Sequence, residues 1–306
     1  MSQGRVAVVS HDAGGAEILS SWLLRYTESY ILVLDGPAVN IFKRKFGNCS
    51  IVPLEEAIEQ CDWILCGTSW QSSLERNAFA LAKSVGKRSV AFLDHWVNYK
   101  ERFLDRGTEV LPDEIWVGDD EALKIANSQF KDIPIVVHAN PYFEDLRQEL
   151  VRIPQIAGKL RFFSVLYVSE PVREYALFRY GDEHFYGYTE EEALIYFLGN
   201  IASLLGYSDP VIRLRLHPSE NKGKYDGITG SSALHIEVCG KKTLLEEVSE
   251  ADVVVGCSSM ALVVGLLANK RVISSIPPGG KSCSLPYVEI EHMRNLMRDY
   301  QSDEHA

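Results

Sequence analysis

Apolar runs of four to six residues alternate with amphipathic stretches of ten or more along most of the chain, the signature of a parallel sheet covered by helices. In the first half the runs predict strands at Val6–Ser10, Tyr30–Leu34, Trp63–Cys66, 89–93, Glu114–Val117 and 133–137, with helices between most of them. A charged stretch, 144–158, punctuated by Pro154 and Gly158, is the expected domain boundary. After it the pattern restarts with strands at 162–168, 211–216, 234–238, 253–255 and 272–274. A long helix over 189–205 opens on Thr189-Glu190-Glu191-Glu192, a capping-box sequence, and a polar helix near 289–300 closes the chain.

One internal similarity stands out. Cys61-Asp62-Trp63-Ile64-Leu65-Cys66-Gly67-Thr68-Ser69 can be laid over Ala251-Asp252-Val253-Val254-Val255-Gly256-Cys257-Ser258-Ser259 at an offset of 190. Each copy leads through an apolar helix to a Lys-Arg turn, Lys87-Arg88 or Lys270-Arg271, and another strand. Equivalent βαβ units in two similar domains explain this, and 306 residues at roughly 150 per domain agree.

With 46% hydrophobic and 24% charged residues the chain is an ordinary globular protein. Its 31 Lys plus Arg against 42 Asp plus Glu give a net charge of −11, so its surface repels a polyphosphate backbone and nucleic acid is not an expected partner. An anionic ligand would need a local positive site, such as a helix N-terminus or a few basic side chains. Met1 to Arg5 run directly into Val6-Ala7-Val8-Val9, too short for the apolar core of a secretory signal. The most apolar stretch, 253–268, is broken by Cys257-Ser258-Ser259 and predicts strand, turn and helix rather than a membrane span. Six cysteines without a CxxC motif or a finger-like histidine spacing read as reduced thiols. The expected location is the cytoplasm, including the inner face of the membrane. Neither a cofactor motif nor a metal cluster is expected.

In open parallel α/β sheets ligands lie beyond the carboxyl ends of the strands, which directs attention to four places. The first is Ser10-His11-Asp12-Ala13-Gly14-Gly15, where Gly14 and Gly15 allow close approach at a helix N-terminus. Asp12 is there either a general base or a helix cap. The second is Asp94-His95-Trp96-Val97-Asn98-Tyr99, with Asp94 and His95 as a possible proton shuttle or a packed loop. The third is Arg213-Leu214-Arg215-Leu216-His217-Pro218: alternation puts Arg213, Arg215 and His217 on one face, either to neutralise a phosphate or to meet solvent. The fourth is Gly256-Cys257-Ser258-Ser259, a strand-to-helix turn whose hydroxyls and N–H groups suit a phosphate, with Ser258 alternatively a cap. Downstream, Gly279-Gly280-Lys281 is a loop with one cation, able to close over a diphosphate or simply to turn.

The order Leu216-His217-Pro218-Ser219-Glu220, then the 251–259 strand and turn, an apolar helix and Lys270-Arg271-Val272-Ile273-Ser274, resembles the C-terminal half of GT-B type glycosyltransferases that build bacterial surface polysaccharides. Bacterial sialyltransferases and capsule polymerases carry a similar His-Pro motif and a similar Ser-Ser motif, which hold the donor phosphate. The likeness places His217, Ser258 and Ser259 at that phosphate. Phe92-Leu93-Asp94-His95 is similar to the strand end that closes the N-terminal domain's series in related transferases, and Val165-Leu166-Tyr167-Val168-Ser169-Glu170-Pro171 to their first C-domain strand. The likeness covers about 80 residues. Only Asp12-Ala13-Gly14 loosely matches the acidic motif that supplies the sialyltransferase base.

The resemblance implies an α/β protein of two Rossmann-like domains, GT-B-like, facing a central cleft: 1–155 on the acceptor side and 156–306 on the donor-phosphate side. The implied activity is metal-independent glycosyl transfer from an activated phosphosugar, a nucleotide sugar or phosphoribosyl diphosphate, to a glycan or lipid-linked acceptor. The catalytic candidates are Asp12, Asp94 and His95. Donor-phosphate candidates are Arg215, His217, Ser258, Ser259 and Lys281, with His11, Gly14, Gly15, Ser169 and Glu170 elsewhere in the cleft. A phosphoribosyltransferase of the same fold is an alternative, although its usual acidic, Thr-rich signature is absent. A sugar-nucleotide epimerase and a non-catalytic phosphosugar-binding protein are the others.

Overall fold

Strands too apolar to face water on either side need helices on both faces, and the structure supplies them twice. The computed structural model describes residues 4–26, 29–69, 71–105, 107–154, 162–206 and 210–303. It divides into two units, Met1–Asp145 and Leu146–Ala306.

The first unit runs β1 (Val6–Ser10), α1 (Ala13–Tyr26), β2 (Tyr30–Leu34), α2 (Pro37–Phe46), α3 (Leu54–Gln60), β3 (Trp63–Cys66), α4 (Leu74–Ser84) and β4 (Arg88–Leu93). A small hairpin of β5 (Leu104–Asp105) and β6 (Thr108–Glu109) follows, then β7 (Glu114–Val117), α5 (Asp120–Gln129), β8 (Ile135–Val137) and α6 (Pro141–Arg152). Six strands form one parallel sheet in the order β2-β1-β3-β4-β7-β8. Every residue of β1 is buried. Trp22 of α1, Trp63 and Trp116 gather on one face of the sheet with ring centroids 5.7 to 6.1 Å apart, a contact worth more than area burial alone.

The second unit runs β9 (Ser164–Val168), α7 (Val172–Tyr180), α8 (Glu190–Leu205), β10 (Val211–Arg215), α9 (Asp226–Ser231), β11 (Ile236–Cys239), α10 (Leu244–Glu250) and β12 (Val253–Gly256). It continues with α11 (Met260–Leu267), β13 (Arg271–Ser274), β14 (Ile290–His292) and α12 (Met293–Asp303). Its sheet order is β11-β10-β9-β12-β13-β14, all parallel. Counted from its own first strand this is 3-2-1-4-5-6, the dinucleotide-fold order. The first sheet follows the same path, with an isolated bridge between Leu32 and Ile51 in the third strand's place and β8 added at the far edge.

The repeated segments therefore occupy the same topological position, as fourth strands, and they are anchored alike. Asp62 Oδ2 accepts the Arg5 N–H (2.6 Å) and Asp252 Oδ2 the Ser164 N–H (2.8 Å), each just where the first strand of its sheet begins. Lys87 Nζ donates to the carbonyls of Ile58 and Cys61, and Lys270 Nζ to that of Ser249 (2.8 Å). Each lysine so satisfies orphan carbonyls at the C-terminal end of the helix before the repeated strand, where a cation is favoured.

The expected capping box at α8 is present: Thr189 Oγ1 accepts the Glu192 N–H, and the Glu192 carboxylate accepts the Thr189 N–H. The 253–268 stretch folds as β12, a turn and α11. No helix among the described residues is long and apolar enough to cross a membrane, and the six cysteines are unpaired. Two stretches differ from expectation: residues 144–152 of the expected boundary are helical, within α6, and the chain's end is divided differently. The closing helix begins at Met293, because Ile290–His292 adds a strand to the open edge of β13, with Ile290 opposite Val272 and buried. The boundary expected at 155/156 lies outside the described residues; the division between units falls inside α6.

Candidate functional site

At the carboxyl end of the first sheet, the turn after β1 carries His11 and Asp12. Asp12 Oδ1 lies 2.8 Å from His11 Nδ1 and accepts the Ser69 hydroxyl at 2.8 Å, while its backbone carbonyl receives the Ala16 N–H. Its side chain therefore looks across to the turn after β3 and orients an imidazole. His11 is held from behind by Glu75 Oε1, which accepts its backbone N–H at 2.8 Å. Glu75 is 2% exposed, its other oxygen has no hydrogen-bond partner among the described residues, and burial pushes its carboxyl up to about 7. Buried carboxyls behave so because desolvation penalises the charged form.

Among the described residues no hydrogen bond joins Asp94, at the end of β4, to His95, although the Asp94 charge acts on that ring. Its Oδ1 takes Arg102 Nη1 at 2.6 Å, and Arg102 also donates to the Thr68 hydroxyl at 2.8 Å. A Cβ on Gly14 would stand 2.0 Å from Asp94 Oδ2, so the close approach that Gly14 permits is made by the chain's own carboxylate. Gly15 packs on Gly67, where an added Cβ would lie 3.1 Å from the Gly67 Cα. His95 accepts the Trp96 N–H on Nδ1 (2.9 Å), and burial lowers its pKa, which favours the neutral ring.

In the second unit, Ser169 and Glu170 follow β9. The Glu170 carboxylate accepts the backbone N–H of Ser258, at the turn leading into α11. Burial pushes this carboxyl also up to about 7. At the turn expected to receive a phosphate, a carboxylate of the same chain takes the Ser258 N–H. Ser259 caps α11 through the Ala261 N–H (3.1 Å), whereas the Ser258 hydroxyl bonds Ser284 (2.7 Å).

His217 is exposed, with Nδ1 on the Ser219 hydroxyl (2.7 Å) and Nε2 without a protein partner among the described residues. Its backbone N–H donates to Glu220 Oε2 at 2.8 Å. Glu220 is fully buried and also accepts from Ser169 Oγ (3.1 Å), Tyr225 Oη (2.7 Å) and Lys224 Nζ (3.0 Å). Lys224 binds Glu174 and Glu190 as well, and those hydrogen bonds hold its pKa up. A cavity of about 510 Å³ opens beside this loop, lined by Arg215, His217, Tyr225, Asp226, Cys239 and Gly240 among others.

Two expected phosphate ligands are otherwise employed. Arg215 Nη1 bonds Glu247 at 2.6 Å and Arg213 Nη1 bonds Glu250 at 2.7 Å. The basic face of β10 thus meets acids three residues apart on α10, which compensates charge on a half-buried strand. Lys281 Nζ sits 3.5 Å from the Phe185 ring centroid, a cation–π contact, with its backbone N–H on the Tyr186 carbonyl.

Glu75, Arg102, Thr68, Ser69, Glu220 and Lys224 were not singled out as site residues from sequence. The repeat contains Thr68 and Ser69, and that was the available signal for them. Glu75 sits in the first turn of α4, where an acid ordinarily complements the helix dipole in solvent.

No family model and no curated protein matches the sequence. Solved structures match it over most of its length. The UDP-GlcNAc 2-epimerase from Neisseria meningitidis bound to UDP-GlcNAc is 11% identical with a TM-score of 0.61, over 97% of this chain and 91% of that one. The UDP-GlcNAc 2-epimerase from Methanocaldococcus jannaschii is 10% identical with a TM-score of 0.57, over 99% and 100%. The glycotransferase of kitacinnamycin is 14% identical with a TM-score of 0.52, over 98% and 90%. At such identities the likeness is one of fold, and that fold is the pair of Rossmann-like units, of GT-B type, that the sequence leads one to expect.

Proposed function

We propose that this chain is a glycosyltransferase that takes a sugar from an activated phosphosugar, a nucleotide sugar or phosphoribosyl diphosphate, and passes it to a glycan acceptor. The second unit holds the donor phosphates and the first activates the acceptor. The observation that carries this assignment is the turn at Cys257–Ser259, where the Ser258 N–H already holds a carboxylate at the start of α11. A leaving phosphate that displaces Glu170 meets backbone donors fixed by the start of α11, and preorganised donors of this kind are the main source of rate in such a step. His217 Nε2 and the Ser258 and Ser259 hydroxyls add further donors. Asp12, oriented by His11 and Ser69, is the base for the acceptor hydroxyl. Asp94, tied to Arg102, acts by shaping the helix terminus at Gly14. No metal takes part in the step, and loss of turnover on adding a chelator would contradict that.

A sugar-nucleotide epimerase is the second possibility. It is favoured by Glu170, a carboxyl that changes protonation near neutral pH beside the phosphate turn. The two are separated by acceptor dependence, since an epimerase turns over donor alone.

The test is the melting temperature of the wild type and His217→Ala with UDP-GlcNAc, UDP and phosphoribosyl diphosphate, because a ligand selective for the folded state raises it. One donor class is expected to stabilise the wild type and to stabilise the variant less. A wild type indifferent to all three would remove the donor assignment.

A further inference from the structure

The chain between α7 and α8 builds an aromatic stack with one face left open. Tyr180, the last residue of α7, lies against Phe185 with ring centroids 3.5 Å and planes 12° apart, so the two rings are face to face. Lys281 Nζ is also 3.5 Å from the Phe185 centroid, and a face covered by a parallel ring at that distance has no room for it. The lysine therefore covers the other face of Phe185, and the order is Lys281, Phe185, Tyr180. Two negative ring faces ordinarily repel in such a sandwich, and a cation behind it offsets that repulsion. Tyr186 meets Tyr180 and Phe185 edge-on, with centroids at 6.0 and 5.3 Å, and packs against the buried cluster of Val172, Tyr188 and Cys257. The Lys281 N–H donates to the Tyr186 carbonyl at 2.8 Å, and Gly187 comes so close to Gly279 that a Cβ would lie 2.7 Å from its carbonyl oxygen. The stack is fixed from beneath, while Tyr180 at its outer end is 44% exposed.

The rim of that open end is acidic. Asp182 and Glu183 follow Tyr180 and Gly181 in the chain, both exposed, and Lys281 is committed behind the stack. A nucleotide or an acidic lipid surface meets like charge there, whereas carboxylates are ready acceptors for hydroxyl groups. The negative face of a ring attracts polarised C–H bonds, and a pyranose with equatorial hydroxyls presents a flat face made of them. We propose that the open face of Tyr180 is a platform for a neutral glycan: one pyranose ring lies on it, and the carboxylates of Asp182 and Glu183 accept hydroxyls at its edge. This site goes beyond the assignment of the donor turn and does not depend on it. Because the stack is held before any ligand arrives, binding orders no loop. Phe178 supplies the contrast. At 84% it is more exposed than Tyr180, but it stands two positions away on α7 and so on another face of the helix.

The experiment is saturation-transfer NMR of the full chain with cellotetraose and chitotetraose, followed by titration, on the wild type, Tyr180→Phe, Tyr180→Ala and Phe178→Ala, each checked by its melting curve. Saturation is expected to pass to the C–H protons of at least one of the two sugars. Tyr180→Phe and Phe178→Ala are expected to bind within about twofold of the wild type, and Tyr180→Ala roughly five- to tenfold more weakly, the loss of one stacked ring. Unchanged binding in Tyr180→Ala overturns the platform, because the sugar then sits elsewhere. An equal loss in Phe178→Ala overturns it in favour of a general apolar surface, and an equal loss in Tyr180→Phe in favour of the phenol hydroxyl. Vesicles of phosphatidylcholine bound by the wild type and not by Tyr180→Ala would replace the glycan with a lipid. Transfer to neither sugar also overturns the platform, and it leaves the donor assignment to be decided by the melting temperatures with UDP-GlcNAc, UDP and phosphoribosyl diphosphate.

Discussion

The two sheets share a strand order, an aspartate anchoring the first strand and a lysine closing the helix before the fourth. Those shared features lie at the amino ends of the strands or on their approach. The carboxyl ends are wired differently. In the first unit, Asp12 and Asp94 are met by side chains: a histidine, two hydroxyls and an arginine. In the second, Glu170 is met by a backbone N–H, that of Ser258, and the cation of the neighbourhood, Lys224, is spent on three other carboxylates. Side-chain partners orient a carboxylate, whereas a backbone N–H at a helix start leaves no charge unpaired when its acceptor changes; on the proposed reading this difference separates acceptor activation from phosphate binding.

The largest effect that bears on this contrast concerns the buried cations. Lys224→Met strands Glu190 and Glu220, which are 1% and 0% exposed, and is expected to cost about 3–5 kcal/mol in urea unfolding. Arg102→Met leaves Asp94 with the Thr68 hydroxyl and 10% exposure, and a smaller loss is expected. The reverse ranking would mean that the first unit, not the second, depends more on its buried cation.

Next comes Glu75. Its folded-state pKa lies above the ordinary carboxyl value, so its protonated form favours the fold; that contribution is complete below pH 4.5 and is lost as pH rises through about 7. Glu75→Gln keeps an acceptor for the His11 N–H and does not ionise. Relative to wild type, its stability is expected to rise between pH 5 and pH 8 by up to about 3 kcal/mol, read from denaturant midpoints. A pH-independent difference would show that Glu75 is charged in the folded protein.

The smallest effect sharpens the similarity rather than the difference. Asp62→Ala and Asp252→Ala each remove a charged acceptor from one strand-opening N–H, and each is expected to cost about 1–2 kcal/mol. Unequal losses, resolved by following each unit's unfolding separately, would show that the repeat has diverged in energy though not in geometry.

The strands of both sheets were legible because they are apolar runs between clear breakers, and the α8 cap because Thr189 and Glu192 stand at a spacing that only a helix start explains. Ile290–His292 was not legible: three residues gain strand geometry only from the edge of β13, a partner distant in sequence. The site was half legible. His11, Asp12, Asp94, Glu170 and Ser258 follow strands, so position alone marked them. Their partners did not stand out, because Glu75, Arg102 and Lys224 sit in helices and loops where a charged residue is usually solvated. The partners of Arg213 and Arg215 stayed hidden for a related reason, since alternation predicts which face a strand residue takes but not that Glu247 and Glu250 lie across it.

The cluster of Trp22, Trp63 and Trp116 has one more consequence. All five tryptophans of the chain, at 22, 63, 70, 96 and 116, precede Asp145, while the second unit has tyrosine and phenylalanine only. Fluorescence excited at the red edge of the indole band therefore listens to the first unit alone, whereas far-ultraviolet dichroism hears both. The protein carries its own optical label, and the gap between the two signals in a single melt tells whether its halves unfold together.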